Sequence, residues 1–363
     1  MRVLGIILLF GIVFSSCKSD EPEMCCGPEF IPYFPPYSGE WATTDPQDLN
    51  WDVDSLASLY SSLEANDTRA FMVLKDGKIV LEKYWGKEIL GNKDFDETSI
   101  WYWASAAKTL TSYMVGQAQS DGYLSIQDKT SKHLGEGWTS LTKEQEDKIT
   151  VWHQLTMTSG LNDLRLNPDN FEPSALTYKA DAGTRWAYHN APYTLLEKVV
   201  SNAAGKDFDT YFKDKLADPL GMTGRWQWSG DNHLYFSNAR SAARFGLFMQ
   251  HGGLWDNATL MNETFASESI NPSQELNKSY GYLWWLNGAE SYRLPQSQIL
   301  FPGTLLPKAP SDVYSAMGKN GQYISISPSN GLVIVRLGDN PSEALVPLLY
   351  LNDIWGMLTN AMN

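Results

Sequence analysis

Ser105 and Lys108 place a hydroxyl and an amine three residues apart, the strongest chemical signal in the chain. On a helix, positions i and i+3 share a face, so the amine can reach the hydroxyl and take its proton. A serine hydroxyl is a weak nucleophile until such a base activates it. The pattern Ser-x-x-Lys also occurs at Ser15–Lys18 and Ser140–Lys143. Ser15 closes an N-terminal apolar run. Ser140 precedes Thr142-Lys143-Glu144-Gln145, which reads as a polar helix start with a capping box. Only Ser105 follows an aromatic run, Trp101-Tyr102-Trp103, and opens an apolar segment reaching Val115. That is the setting of a nucleophile at a buried helix N-terminus.

Acyl transfer also needs a proton route to the leaving group and donors for the developing oxyanion. Tyr188-His189-Asn190 follows the turn-like Ala182-Gly183-Thr184 and precedes an apolar helix over 191–200. A similar triplet, Tyr350-Leu351-Asn352, falls in a C-terminal helix where packing accounts for it. Lys319-Asn320-Gly321 lies between two late strands, whereas Lys75-Asp76-Gly77 is explained by a hairpin. Tyrosine and lysine ordinarily titrate near 10, so either becomes a base only where its surroundings shift it. Two ammonium groups near one phenol would favour phenolate, and burial disfavours a protonated lysine.

The elements that must position these groups follow from periodicity. A helical pattern runs from Trp51-Asp52 to about Leu63. Phe71–Leu74 and Ile79–Leu81 flank Lys75-Asp76-Gly77-Lys78, and Asp-Gly between apolar runs is a strong hairpin signal. The middle of the chain is helical, with candidates over 105–121, 143–158, 190–204, 207–216 and 239–251. Strand character returns at 313–317, 322–326 and 331–337, and 343–362 reads as a closing helix. Strands at both ends with helices between predict an α+β sandwich. Its antiparallel sheet comes from the N- and C-terminal segments, flanked by helices, with a mostly helical lobe inserted. The sheet part is expected over 41–104 and 280–363, and the lobe over 105–279.

With 43% hydrophobic residues and 14 Trp, the 363-residue chain can bury a substantial core. Its formal net charge of -14 and lack of a basic stripe argue against nucleic acid. Met1-Arg2 and the apolar run Val3–Phe14 read as a secretory leader over 1–16, too short for a bilayer span. Phe14-Ser15-Ser16-Cys17 resembles a bacterial lipoprotein cleavage site, which implies that Cys17 becomes the lipidated N-terminus. Lys18-Ser19-Asp20-Glu21 resembles a surface-export signal. The expected location is therefore the bacterial outer membrane, facing the periplasm or the exterior, with the membrane touched only through the lipid. Residues 17–40, with Pro22, Pro28, Pro32, Pro35 and Pro36, read as a tether, and 41–363 as the folded body. Cys25 and Cys26 lie near the anchor, which makes a disulfide framework or structural zinc site improbable.

Taken in order, Ser105-Ala-Ala-Lys108, Tyr188-His-Asn190 and Lys319-Asn-Gly321 resemble the motifs of the serine β-lactamase and penicillin-binding protein superfamily. The similarity is greatest to its branch of class C β-lactamases, D-stereospecific peptidases, esterases and amidases. It covers residues 65 to 360 and includes His153–Leu161, Asp218–Met222 and Ala243–Gly246. The resemblance implies that Ser105 is acylated, with Lys108 as its base and Tyr188 relaying protons. The principal base of such enzymes is disputed between lysine and its partner. It further implies that Asn190 contacts the substrate amide or holds Lys108, and that Lys319 supplies positive charge. Asn320 and Gly321 would bind substrate, and the backbone N–H groups of Ser105 and Gln322 would form the oxyanion hole. No cofactor or metal is required. Asn320 stands where lactamases carry Thr or Ser, which puts recognition of a β-lactam carboxylate in doubt.

Bland explanations cover other residues. His153 and His189 are expected to pack or hydrogen-bond, and Glu172-Pro173 precedes the tyrosine motif, the wrong order for a class A deacylation loop. Arg240 and Arg244 are expected on a helix surface or in an internal ion pair. Tyr102, Trp226 and Trp228 are candidate cleft walls. The sequence predicts a serine hydrolase acting on a small-molecule or peptide substrate: an ester, an amide or a D-amino-acid peptide. A slow-turnover penicillin-binding protein, a true β-lactamase and a non-catalytic interaction protein are the alternatives. Oligomeric state is open.

Overall fold

The apolar segments near the two ends of the chain meet in one antiparallel sheet in the computed structural model, which describes residues 32–339 and 344–362. The leader, Cys17, Cys25 and Cys26 lie outside the described residues. Helix α1 (Val53–Ala65) leads into the hairpin β1 (Thr68–Lys75) and β2 (Lys78–Tyr84). Its turn residues Asp76 and Gly77 have φ of 50° and 82°, the left-handed pair that a tight hairpin needs. Then come β3 (Trp101–Tyr102), α2 (Lys108–Ser120) and α3 (Asn190–Ala204). They are followed by the hairpin β4 (Gly224–Ser229) and β5 (Asn232–Ser237), then α4 (Ala239–Gln250). The chain closes with β6 (Trp285–Leu286), β7 (Tyr314–Gly318), β8 (Gln322–Ser327), β9 (Leu332–Gly338) and α5 (Leu348–Met362).

The main sheet has the order β2-β1-β9-β8-β7-β6, with Val73 opposite Ile334 where the first strand meets the last. The N-terminal hairpin thus forms one edge of the sheet and meets the C-terminal strands at the β1–β9 junction. Every residue of β8 and β9 is buried, so both faces are covered. Alternation along a strand assigns the covers. Ile324 faces α4, where a Cβ on Gly246 would meet Val333 Cγ1 at 2.5 Å and Ile324 Cγ2 at 2.9 Å. Glycine there lets the helix backbone lie directly on the sheet. The next residue, Ser325, faces α5 and accepts from Trp355 Nε1 at 2.9 Å. The backbone N–H of Asp52, which caps α1, donates to Ala361 O at the end of α5, tying the two terminal helices together. Burying each Val or Ile of β9 contributes about 1.5–3 kcal/mol.

Several predicted elements end differently. The helix expected from 105 starts as a 3-10 turn at Ala104–Ala107 before α2 begins. The one expected over 143–158 is two short helices, Lys143–Glu146 and Val151–Leu155, each with its own capping box. Thr150 and His153 satisfy the second set of amide donors, so the chain restarts there. The segment from 207 runs through a helix at Phe208–Phe212 into a wider turn over Lys213–Ala217. The β4–β5 hairpin, at whose turn Gly230 has φ 58°, was not predicted, because β4 buries only Trp226 and carries almost no hydrophobic period. Residues 33–37, assigned to the tether, pack on the body. Arg244 donates to the carbonyls of Pro35, Pro36 and Leu220, and Phe34 lies against His251 and Trp255.

Candidate active site

Ser105 sits in the 3-10 turn between β3 and α2, and three residues per turn eclipse positions i and i+3. Lys108 Nζ therefore reaches Ser105 Oγ at 3.1 Å. Ala104 enters the turn with φ 46°, a conformation that an L-residue adopts at a cost and that recurs at functional sites. Gly318 makes room for the turn: a Cβ there would lie 2.4 Å from Trp103 O and 3.1 Å from Ser105 N. The end of β7 is thus pressed against the backbone of the serine.

Lys108 is 3% exposed and makes no ion pair among the described residues. Its ammonium stands 4.1 Å from the ring centre of Tyr193 and 5.1 Å from that of Tyr188. Burial lowers its pKa to about 7, against the opposing charges of Asp169 and Glu197. Tyr188 is buried, and its hydroxyl makes no hydrogen bond of normal length among the described residues. Burial pushes its phenol well above the ordinary value; Ser105 beside it pulls the other way and Asp169 adds to the rise. The phenolate expected from two neighbouring ammonium groups is therefore overridden by burial. At neutral pH the lysine is the group with an available lone pair, and the phenol holds its proton.

Asn190 opens α3, but it does not hold Lys108: its Nδ2 donates to Asp169 Oδ1 at 2.7 Å. Asn232, from the β4–β5 hairpin, donates to the other oxygen of Asp169 at 2.9 Å. Two amides fix this carboxylate in the cleft, on a loop closed by the buried ion pair Arg185–Asp163 at 2.7 Å. Nothing in the local sequence distinguishes Asp169 from the other acids, because its partners lie 21 and 63 residues away.

Lys319, Asn320 and Gly321 form a turn between β7 and β8. Asn320 has φ 63°, which asparagine adopts at less cost than a β-branched threonine. That accounts for asparagine at this position. Its Nδ2 donates to Tyr102 Oη at 2.7 Å, and Tyr102 donates to Asp339 Oδ1 at 3.0 Å. Behind the turn, the fully buried Arg336 donates to the carbonyls of Asn320 and Gly321 at 2.7 and 2.9 Å. It also reaches Thr68 Oγ1 and the carbonyls of Asn66 and Asp339. Sequence analysis passed over this arginine, inside an apolar strand. Gln322 pairs its side-chain amide with both backbone groups of Gly338, anchoring the start of β8.

A cavity of about 340 Å³ collects Tyr102, Ser105, Asp169, Tyr188, Asn190, Asn232, Lys319 and Asn320. Gly321 is buried behind it. Trp226 and Trp228 are not among its walls. Trp226 is buried among Phe208, Phe212 and Tyr235, and Trp228 faces the other side of the hairpin. A larger depression of about 790 Å³ near Asn287 and Glu290 contains none of the motif residues. Burial holds His153 and His189 at about 4; His153 accepts from the Thr150 N–H as a cap. Arg240 pairs with Glu82 through two hydrogen bonds, while Arg244, among the described residues, donates only to backbone carbonyls and stands over Trp41. Among the described residues no group of three or more His, Cys, Asp or Glu could hold a metal ion.

A beta-lactamase family model matches residues 64–343. The chain belongs to the beta-lactamase family. An uncharacterized protein of Alkalihalophilus pseudofirmus is 25% identical over 295 residues, 73% of this chain and 81% of that protein. The D-alanyl-D-alanine-carboxypeptidase/endopeptidase AmpH of Escherichia coli is 26% identical over 166 residues, 42% of this chain and 43% of its own. Among solved structures, a penicillin-binding protein homolog from Caulobacter crescentus superposes with a TM-score of 0.66 at 12% identity, covering 90% of this chain and 98% of that one. The family is one of serine hydrolases, and the α+β architecture with its antiparallel sheet is that of these neighbours. No helix among the described residues is long and apolar enough to cross a membrane.

Proposed function

We propose that this protein hydrolyses a small ester, amide or D-amino-acid peptide through an acyl-enzyme on Ser105. The observation that carries this is the 3.1 Å contact between Ser105 Oγ and a buried lysine held near neutrality. Lys108 takes the Ser105 proton as Oγ bonds to the substrate carbonyl carbon. The oxyanion forms against the backbone N–H groups of Ser105 and Gln322. The bond to the leaving group then breaks, and Tyr188, a neutral phenol, passes it a proton that Lys108 restores. Water completes the cycle by the same groups in reverse.

Asn320 is occupied by Tyr102, and the Asp169 carboxylate faces the same cavity as Lys319, so a substrate carboxylate has one cation and one anion to meet. These contacts count against a substrate that must anchor a free carboxylate, as a β-lactam does. The identity to AmpH keeps a slow peptidoglycan-directed reaction as the second reading. The apolar run Val3–Phe14 and the Phe14-Ser15-Ser16-Cys17 motif support export with lipidation at Cys17, which would put the activity at the outer membrane. Intact-mass spectrometry after a fluorophosphonate probe tests the nucleophile. One adduct on the wild type and none on Ser105→Ala is expected; an adduct retained by Ser105→Ala overturns it.

A further inference from the structure

A second cavity, of about 330 Å³, lies across the β4–β5 hairpin from the acylation cleft. The hairpin register pairs Trp228 with His233 and Ser229 with Asn232. Successive residues of a strand point to opposite faces, so the two pairs serve different cavities: Ser229 and Asn232 line the cleft, and Trp228 and His233 line the second cavity. The loop that carries Asp169 is shared in the same way, since Phe171 turns to the second cavity. There Trp228 stacks on His233 at 4.4 Å and 8° and approaches Phe171 at 6.0 Å.

The floor of this cavity is acidic. Glu197, on α3 and 5% exposed, accepts from or donates to His233 Nδ1 through Oε2 at 2.7 Å. Its other oxygen, Oε1, is buried and has no hydrogen-bond partner among the described residues. A buried carboxylate oxygen left without a donor is costly and calls for one. Asp209 stands 3.9 Å from His233 Nε2 with half its side chain exposed. Asp207 is engaged in capping the helix at Phe208, and Lys198 is exposed at the rim. Aromatic walls stand over carboxyl groups, and one oxygen of Glu197 lacks a donor among the described residues. With no metal-binding group among the described residues, the chemistry that fits is an ammonium group on an apolar or aromatic body.

We propose that this cavity binds a small organic cation, its ammonium donating to Glu197 and its body stacked on Trp228 and Phe171, at a site separate from the acylation cleft. Isothermal titration of the protein with phenethylammonium, against the neutral 2-phenylethanol, tests it. The protein is taken unlabelled, blocked with fluorophosphonate at Ser105, and as Asp169→Asn. Saturable one-site binding at least about tenfold tighter for the cation is expected in all three forms. Glu197→Gln should weaken it about tenfold, and Trp228→Ala, at an exposed position, about threefold or more. Equal affinity for the alcohol overturns the proposal, as does absence of saturable binding. Binding lost on Asp169→Asn would assign the ligand to the cleft instead, and binding indifferent to both Glu197→Gln and Trp228→Ala would exclude the cavity.

Discussion

The two walls of the acylation cleft are built on different principles. One wall, the turn from Trp103 through Lys108, is short-range and dry. The nucleophile and its base share one turn, and burial alone brings the lysine to about 7. The facing wall is long-range and polar. Asp169 is held by Asn190 from a helix and Asn232 from a hairpin, and neither tie can form until the loop, helix and hairpin are in place. The first wall carries the chemistry and the second shapes what can approach it, so changes to the two should have different signatures.

The largest effect is expected on the chemical wall. Ser105→Ala or Lys108→Ala should slow acylation by about 10³-fold or more with folding intact, read as the rate of fluorophosphonate labelling. The same lysine should oppose stability. Its folded pKa lies below the unfolded value of 10.5, so the unfolded chain holds the extra proton and stability rises with pH between about 7 and 10.5, the full cost of burying the charged amine being felt below 7. Lys108→Met should accordingly raise stability by about 1–3 kcal/mol at neutral pH while abolishing activity. An unchanged or lowered midpoint in urea unfolding would show that the amine is better accommodated than its burial suggests.

Behind the Lys319 turn, Arg336→Met leaves four backbone carbonyls without their donor and should destabilise by about 3 kcal/mol, measured by the same unfolding. On the polar wall, Asp169→Asn removes a charge that favours protonated Lys108. The pH midpoint of acylation should therefore move down, by about half a unit to one unit, with the plateau rate little changed. A shift upward would break the distinction between the walls. The smallest effect is expected for Asn320→Thr, about 1 kcal/mol of stability from a β-branched residue at positive φ, seen as a drop of a few degrees in Tm.

The same division explains what was legible in the sequence. Ser105, Lys108, Tyr188 and Lys319 belong to local motifs whose order along the chain carries information, and the main sheet follows from apolar runs at both ends. Asp169, Asn232 and Arg336 act through partners tens to hundreds of residues away, for which periodicity has no term. The β4–β5 hairpin buries too little to announce itself, so Trp226 and Trp228 were taken for cleft walls when one is core and the other serves the opposite face. Thr150 restarts a helix through a cap that looks like one more polar residue inside a helical stretch.

The pH dependence of Ser105 acylation tests the central claim most directly. Labelling by a neutral fluorophosphonate should rise with pH through a midpoint near 7, level off above it, and be lost in Lys108→Ala. A flat profile, or a midpoint near 10, would contradict a buried, neutral lysine as the base.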